Sequence, residues 1–136
     1  MKSEQGFTLV ELIVVLTIMA IIGATIVPVF LNRADRARLQ SDIQSARVLQ
    51  NAIELYNAEN SESIGTDIGD ILDSLIAGRF IQDTIRRPQT SGANWMFDAD
   101  RIKVDIRGLE NIIEIATGLP VHDQNWIVGL PASPAS

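Results

Sequence analysis

The sequence predicts an α+β protein in which a long N-terminal α-helix leads into a small C-terminal head. Three observations carry this prediction. Residues 12–31 are uncharged and mostly apolar, residues 33–59 repeat apolar side chains at helical spacing, and residues 95–106 alternate apolar and polar side chains. The first two patterns are typical of a helix, and the third is typical of an antiparallel β-hairpin with one buried face. We therefore expect a helix with a membrane half and an amphipathic half, followed by short helices and a short hairpin or sheet.

Composition limits the classes of protein that the chain can belong to. It has 136 residues, a net charge of -6 and no cysteine. This length allows one compact domain with an appendage. The absence of cysteine excludes a disulfide framework, a thiolate metal site and cysteine catalysis. No basic stripe is large enough to indicate a nucleic-acid surface.

Residues 7–31 are predicted to form a membrane-spanning helix. The uncharged run 12–31 would extend roughly 30 Å as a helix, which matches the hydrocarbon core of a bilayer. A cleaved secretory signal has a shorter apolar core and ends at small residues, so a retained helix fits better. Pro28 is expected to bend this helix, because proline removes one backbone hydrogen bond.

The amphipathic half of the helix is predicted over residues 32–59, which contain neither glycine nor proline. Charged residues, among them Asp42, are placed mostly off the apolar face. The apolar stripe recurs at intervals of three or four residues and consists of Leu39, Ile43, Ala46, Leu49, Ile53 and Tyr56.

Residues 60–130 are predicted to form the head, and residues 131–136 a flexible tail. After a loop over 60–66, Asp67 is expected to cap a helix that runs to about Ala77 and stops at Gly78. A second loop covers 86–94 and leads into the hairpin.

The sequence of the last part of the head allows more than one secondary-structure prediction. Residues 109–117 fit a second short helix, but a strand over 112–115 stays open as an alternative. Residues 125–128 are compatible with a last strand.

Three aspartates in and next to the predicted hairpin can be interpreted in two ways. Asp98, Asp100 and Asp105 carry the oxygen ligands that Ca²⁺ prefers, but we favour a polar hairpin turn and a solvated strand face. His122 stands beside Asp123 without a second histidine or a nucleophile, so we place it at the surface. We find no nucleophile–base set, no metal-ligand spacing and no phosphate-binding loop, so no catalytic residue, metal or cofactor is predicted.

The aromatic and the basic residues each allow more than one role. Core packing is the more common role for Trp95, Phe97 and Trp126, although exposed adhesive aromatics are the alternative. The only dense basic cluster follows the apolar run and consists of Arg33, Arg36 and Arg38. It fits anionic headgroups before assembly, acidic groups of a neighbour such as Asp35 or Asp42 afterwards, or a solvated helix face.

The stretch GFTLVE, residues 6–11, contains the single charged side chain between Gly6 and Phe30, Glu11. A carboxylate near the edge of a membrane helix is costly unless it is paired or close to the interface. The stretch resembles the processing site of type IV prepilins and pseudopilins, and the resemblance covers roughly residues 1–60.

This resemblance implies a specific processing event. The leader, residues 1–6, would be removed by cleavage between Gly6 and Phe7, and Phe7 would be N-methylated. Glu11 would serve in assembly, and Pro28 matches a proline common at that point of the family's helix. Two features depart from the family: Ala20 stands where a glycine is more usual, and the cysteine pair of many type IV pilins is absent.

A physical reason supports an assembly role for Glu11. Cleavage would create an α-amino cation at Phe7 inside an apolar bundle, and a carboxylate of a neighbouring subunit can neutralise it. An unpaired charge in such a medium costs several kcal/mol. We therefore predict that Glu11 is a registration charge between subunits and not a catalyst.

The function predicted from the resemblance is that of a structural subunit of a type IV pilus-like filament, not an enzyme. Its head would be extracytoplasmic, on a single-pass membrane protein before assembly and on a cell-surface filament afterwards. The implied partners are copies of itself, minor pilins or pseudopilins, prepilin peptidase, an inner-membrane platform protein and membrane lipid. A nucleic acid would be a partner only of a competence filament.

Two alternatives to this function stay open. The chain could be a pseudopilin of a type II secretion or competence DNA-uptake system. It could also be an uncleaved, single-span anchored binding domain in which GFTLVE is coincidence.

Overall fold

The computed structural model describes residue 6 and residues 8–131. It confirms the predicted α+β architecture. Its elements are α1 (Leu9–Glu59), α2 (Ile68–Ala77), a 3-10 helix (Asp83–Ile85), β1 (Asn94–Asp98), β2 (Arg101–Asp105), α3 (Glu110–Thr117), α4 (Val121–Gln124) and β3 (Ile127–Val128).

The chain divides into two compact units, one up to Ala34 and one from Asp35 onward. The sequence-based boundaries at residues 6, 31 and 59 stay predictions. Most of the leader, residues 1–5, and most of the tail, residues 132–136, lie outside the described residues, as does Phe7.

The first unit consists of the N-terminal part of α1. By length and composition alone, α1 could cross a membrane, and none of its most apolar stretch is buried in the protein. Pro28 lies inside α1 and does not end it. The hydroxyls of Thr17 and Thr25 donate to the carbonyl oxygens of Ile13 and Ile22, at 2.8 and 2.9 Å. These bonds satisfy both polar side chains within the helix.

In the second unit, α1 supplies the central apolar stripe of the head. Five of the six residues predicted for the stripe are buried, and Tyr56 is partly buried against the core. The stripe is wider than predicted, because Ala52 is also buried. Asp42 is the exception to the expected separation of charged and apolar faces, since it is 1% exposed.

The helix α2 forms where its local signals place it. The carboxylate of the N-cap residue Asp67 accepts hydrogen bonds from the backbone N–H groups of Gly69 and Asp70, at 2.9 and 3.1 Å. Such a cap satisfies donors that have no partner inside the helix. Gly78 ends the helix. Three residues of its apolar face are buried in the core: Ile71, Leu72 and Leu75.

The sheet has three strands in the order β1-β2-β3. The predicted hairpin is confirmed: β1 and β2 are antiparallel, with Asn94 opposite Asp105 and Asp98 opposite Arg101. The last strand is shorter than expected, and it pairs parallel to β2, with Val104 opposite Ile127. A parallel pair needs a crossover connection, which α3 and α4 provide.

The last part of the head contains two helices, α3 and α4, of which only the first was expected. The helix alternative for residues 109–117 is correct, because α3 covers Glu110–Thr117 and leaves no strand at 112–115. The short helix α4 was not predicted; Pro120 stands at its N-cap position.

The aromatic residues pack as expected, but to different extents. Trp95 is buried, and its indole N–H donates to the carbonyl oxygen of Ile85 at 2.9 Å. Phe97 and Trp126 are only partly buried against the core. The guanidinium of Arg101 lies 4.8 Å from the ring centroid of Trp126, within the range of a cation–π contact.

Candidate functional site: the N-terminal helix and its charged residues

The first turn of α1 is held by Thr8 and Glu11. The backbone N–H of Glu11 donates to the Thr8 hydroxyl at 3.2 Å, and the backbone N–H of Thr8 donates to the Glu11 carboxylate at 3.2 Å. This reciprocal pair is a capping box. The sequence reasoning missed it, although a threonine three residues before a glutamate is its signature. The box fixes the start of the helix at Leu9.

The predicted processing position lies before this helix start. Gly6 is exposed and outside the helix, and a side chain at that position would meet no atom within 4 Å. Phe7, the other predicted processing residue, is outside the described residues. The structure therefore describes one of the two residues that flank the predicted cleavage point.

The apolar surface between Leu9 and Leu31 is exposed on every side of the helix. Leu16 is 56% exposed and Phe30 68% exposed, and the other large apolar side chains of this segment are comparable. Glu11 is the only charged residue in the segment. Within the described residues, nothing covers this surface. A continuous apolar surface of this size is typical of contact with lipid or with another protein.

The carboxylate of Asp42 is not available to a neighbouring subunit, in contrast to the expectation from the sequence. Its two oxygens accept hydrogen bonds from the backbone N–H groups of Gln89 and Thr90, at 2.6 and 2.8 Å. Asp42 lies next to Ile43 on the buried stripe and faces the loop before β1. It therefore fixes that loop to α1.

The basic cluster after the apolar run is divided in its contacts. Arg38 forms an ion pair with Asp35 at 3.3 Å within the same turn of the helix. Arg33 and Arg36 are exposed and form no ion pair with residues 8–131. Asp35 was expected from the sequence as an acidic partner for a neighbouring subunit. In the structure it instead contacts Arg38 of its own chain.

The structure does not assemble the three aspartates that were considered for calcium. Asp98 accepts from Lys103 at 2.8 Å, and Asp105 accepts from Arg107 at 2.7 Å. Asp98 and Asp105 stand at opposite ends of the hairpin. Within the described part of the chain, no group of three metal-ligating side chains of this kind occurs.

Hydrogen bonding sets the ionisation of the Asp105–Arg107 pair. The Arg107 guanidinium holds the pKa of the Asp105 carboxyl below its usual value, although partial burial acts in the opposite direction. The same contact raises the pKa of Arg107. Both groups therefore stay charged over a wider pH range, and they hold the end of β2.

His122 is exposed, as expected, and contacts Asp123 at 3.3 Å. The Asp123 carboxylate is also bound by Arg47 of α1 at 2.7 Å. This partly buried ion pair links α4 to α1, so the role of Asp123 is structural. Nothing in this arrangement supplies a nucleophile.

A second structural contact that the sequence did not indicate is made by Gln50. Its amide oxygen accepts from the backbone N–H of Ile102 at 3.1 Å, and its amide nitrogen donates to the carbonyl oxygen of Asp100 at 3.2 Å. It lies in a groove of about 690 Å³ between α1 and the hairpin. The contact fixes the start of β2 to α1.

Comparison with known proteins agrees with the geometry of the N-terminal segment. Residues 1–27 match the family model described as the prokaryotic N-terminal methylation motif. Over 140 aligned residues the chain is 29% identical to type II secretion system core protein G of Klebsiella pneumoniae, and this match covers 95% of the chain and 99% of that protein. The chain is thus similar to proteins of the type IV pilin-like family, both in its N-terminal motif and over most of its length.

Other relatives match mainly over one half. The core protein G of Vibrio cholerae is 34% identical over 76 residues, which is 56% of this chain and 51% of that protein. The core protein G of Klebsiella michiganensis is 34% identical over 68 residues, which is 50% of this chain and 48% of that protein. In these matches the chain spans about half the length of its relatives. No solved structure matches the chain.

Proposed function

We propose that this chain is the structural subunit of a type IV pilus-like filament, of the pseudopilin kind that type II secretion systems use. The observation that carries the proposal is the exposed apolar surface of α1 from Leu9 to Leu31, most of which lies inside the matched methylation motif, residues 1–27. A helix that is apolar on all sides is stable only inside a membrane or among other helices. The full-length similarity to core protein G favours a pseudopilin over a pilus subunit.

Processing is the first step of the proposed function. A membrane peptidase would cut between Gly6 and Phe7, and Phe7 would then be N-methylated. Two observations support this step. Gly6 is exposed and not helical, and the capping box of Thr8 and Glu11 starts the helix at Leu9. The backbone at Gly6 is therefore outside the hydrogen-bonded turns and accessible to an enzyme.

Glu11 would then act as the registration charge between subunits. Its Oε2 atom accepts the backbone N–H of Thr8, whereas a carboxylate has room for several donors on its two oxygens. One carboxylate can therefore cap its own helix and accept the α-amino group of a neighbour's Phe7. Each of these two charges alone would be costly in hydrocarbon, so their pairing would favour one register. We also assign Pro28 to the assembly helix.

The partners follow from this assembly route. They are copies of the chain and other pseudopilins, prepilin peptidase, an inner-membrane platform protein, and membrane lipid before assembly. The head would lie outside the cytoplasmic membrane and form the filament surface. The proposed role requires no enzymatic activity and no cofactor.

The test is a pair of substitutions at Glu11 in cells that contain the assembly system. Glu11→Ala removes the cap and the charge, whereas Glu11→Gln keeps an oxygen for the Thr8 N–H and removes only the charge. We expect both variants to lose filaments at least tenfold in a sheared-fraction assay. Glu62→Gln, which neutralises an exposed carboxylate of the head, is the matched control and should assemble normally.

The two variants should leave the head intact, because Glu11 lies in the first unit and its described hydrogen bonds are both with Thr8. Its free energy of unfolding should change by less than about 0.5 kcal/mol, as is usual for exposed positions. Normal filament yield from Glu11→Gln would contradict the registration role. Monomeric behaviour of the wild-type chain with Met1 retained would instead favour an anchored binding domain.

A further inference from the structure

We propose that Arg33 and the apolar groove beside it form a binding site for an anionic phospholipid. The phosphate group would contact the Arg33 guanidinium, and an acyl chain would lie along the groove. This inference rests on the proposed membrane-held state of the subunit and names the lipid class that the state requires.

The groove lies on one face of α1. It has a volume of about 230 Å³ and is lined by Thr25, Ile26, Val29, Phe30 and Arg33. Residues on successive turns of this set are three or four positions apart, as in Ile26, Val29 and Arg33, which places them on one face of the helix. The Thr25 hydroxyl donates to the carbonyl oxygen of Ile22, so its polar atom is satisfied within the helix. The floor of the groove is therefore suited to hydrocarbon.

The position of Arg33 along the helix suits a phosphate. The uncharged run ends at Leu31, and two further residues at about 1.5 Å each carry the helix roughly 3 Å past the hydrocarbon. The apolar stem of an arginine can lie on the apolar groove while its guanidinium reaches the interface. A guanidinium also binds a phosphate through two parallel hydrogen bonds.

The guanidinium of Arg33 is accessible to an anion from outside the described part of the chain. Arg33 is exposed and forms no ion pair with residues 8–131. The next acidic residue along the chain, Asp35, contacts Arg38. In the proposed topology Arg33 lies on the extracytoplasmic side, where the usual preference for cytoplasmic basic residues gives no reason for an arginine. An anionic headgroup supplies the missing charge.

A lipid fits both parts of this surface better than a second protein helix does. An apolar helix would fill the groove but would leave the guanidinium without an anion. A single phospholipid with a net negative charge carries both an acyl chain for the groove and an anionic phosphate for the guanidinium. A zwitterionic phospholipid offers the same chain with less attraction, so the site should select phosphatidylglycerol over phosphatidylethanolamine.

The experiment captures the lipid in the groove. The full chain, with Ile22→p-benzoylphenylalanine, is reconstituted in vesicles of equal parts phosphatidylglycerol and phosphatidylethanolamine and irradiated. Ile22 is exposed and lies two turns below Val29 on the same face. Mass spectrometry then gives the ratio of the two lipid adducts. A probe at Ala24, which faces away from the groove, is the control for position.

We expect the adducts at Ile22 to favour phosphatidylglycerol, and Arg33→Gln to lower the ratio about fivefold, which is the weight of one basic residue at an anionic surface. Arg33→Lys should keep part of the preference, because it keeps the charge but loses the planar fork. Arg87→Gln makes the same charge change at an exposed arginine of the head and should leave the ratio unchanged.

Three outcomes would overturn the proposal. They are a wild-type ratio equal to that at Ala24, a ratio that Arg33→Gln does not change, and crosslinks that go mainly to a second copy of the chain. The first two leave the filament function untouched, and the third supports it. Failure of the chain to stay in the vesicles would overturn the membrane-held state as well.

Discussion

The two parts of α1 bury their apolar side chains in different ways. Leu16 in the first unit is 56% exposed, whereas Leu49 in the second unit is fully buried. Both are leucines of the same helix, so helix propensity does not distinguish them. The stripe of the second unit is covered by the head, and the surface of the first unit has no cover among the described residues. One helix therefore carries two apolar surfaces, of which one lies in a domain core and the other is exposed.

The two parts also differ in how they hold a carboxylate. Glu11 accepts the backbone N–H of Thr8, three residues away, whereas Asp42 accepts those of Gln89 and Thr90, 47 and 48 residues away. The first contact shapes only the helix start. The second fixes a distant loop. Loss of Asp42 should therefore affect the stability of the head, and loss of Glu11 should affect assembly.

The largest effect that separates the two parts is expected from the same substitution made in each. Leu49→Ala should lower the free energy of unfolding of the head by about 2–5 kcal/mol, because it opens a cavity in the core. Leu16→Ala should change it by less than about 0.5 kcal/mol. Urea unfolding of the full chain in detergent, followed by tryptophan fluorescence, measures both. Equal losses of unfolding free energy would contradict the claim that only the second part of α1 contributes to the core of the head.

A smaller effect is expected at the buried carboxylate. Asp42→Ala removes two hydrogen bonds to a charged acceptor and leaves their N–H donors unpaired, which should cost about 2–4 kcal/mol. Its matched control is Asp35→Ala, which removes an exposed ion pair with Arg38 and should cost at most about 1 kcal/mol. The same unfolding assay compares them. A loss from Asp42→Ala no larger than that from Asp35→Ala would argue against the anchoring role.

These residues also mark the limit of what the sequence predicts. The cap and stop of α2 and the β1–β2 hairpin are set by neighbouring residues, and their signals were sufficient. Asp42 was placed on the polar face because the periodicity identifies only apolar side chains. Its partners are the N–H groups of a loop 47 residues later, which no local pattern can indicate.

The same limit applies to the sheet and to the candidate site. The parallel pairing of β3 with β2 depends on the crossover through α3 and α4, so the short run of apolar residues predicted a strand but not its direction. At the N-terminus the motif predicted an assembly role for Glu11, which stays a prediction. The contact of Glu11 with Thr8 is local and could have been found from the spacing.

The smallest effect concerns pH and lies wholly in the head. The pKa of Asp105 is lowered in the folded state, so its contribution to stability is present above the unfolded value near 3.9 and is lost as the pH falls through the folded value. Because Arg107 is exposed, solvent screens the ion pair and the contribution should be small. The difference in unfolding free energy between wild type and Asp105→Asn should therefore shrink from pH 7 to pH 2.5. A constant difference would contradict this assignment.

The central claim is that the exposed part of α1 is an assembly helix released by processing at Gly6. Its most direct test is the intact mass and N-terminal sequence of the chain purified from native membranes. We expect a chain that begins at N-methylated Phe7, and we expect Gly6→Val to retain the full leader. A wild-type chain that still begins at Met1 in cells with an active prepilin peptidase would contradict the account.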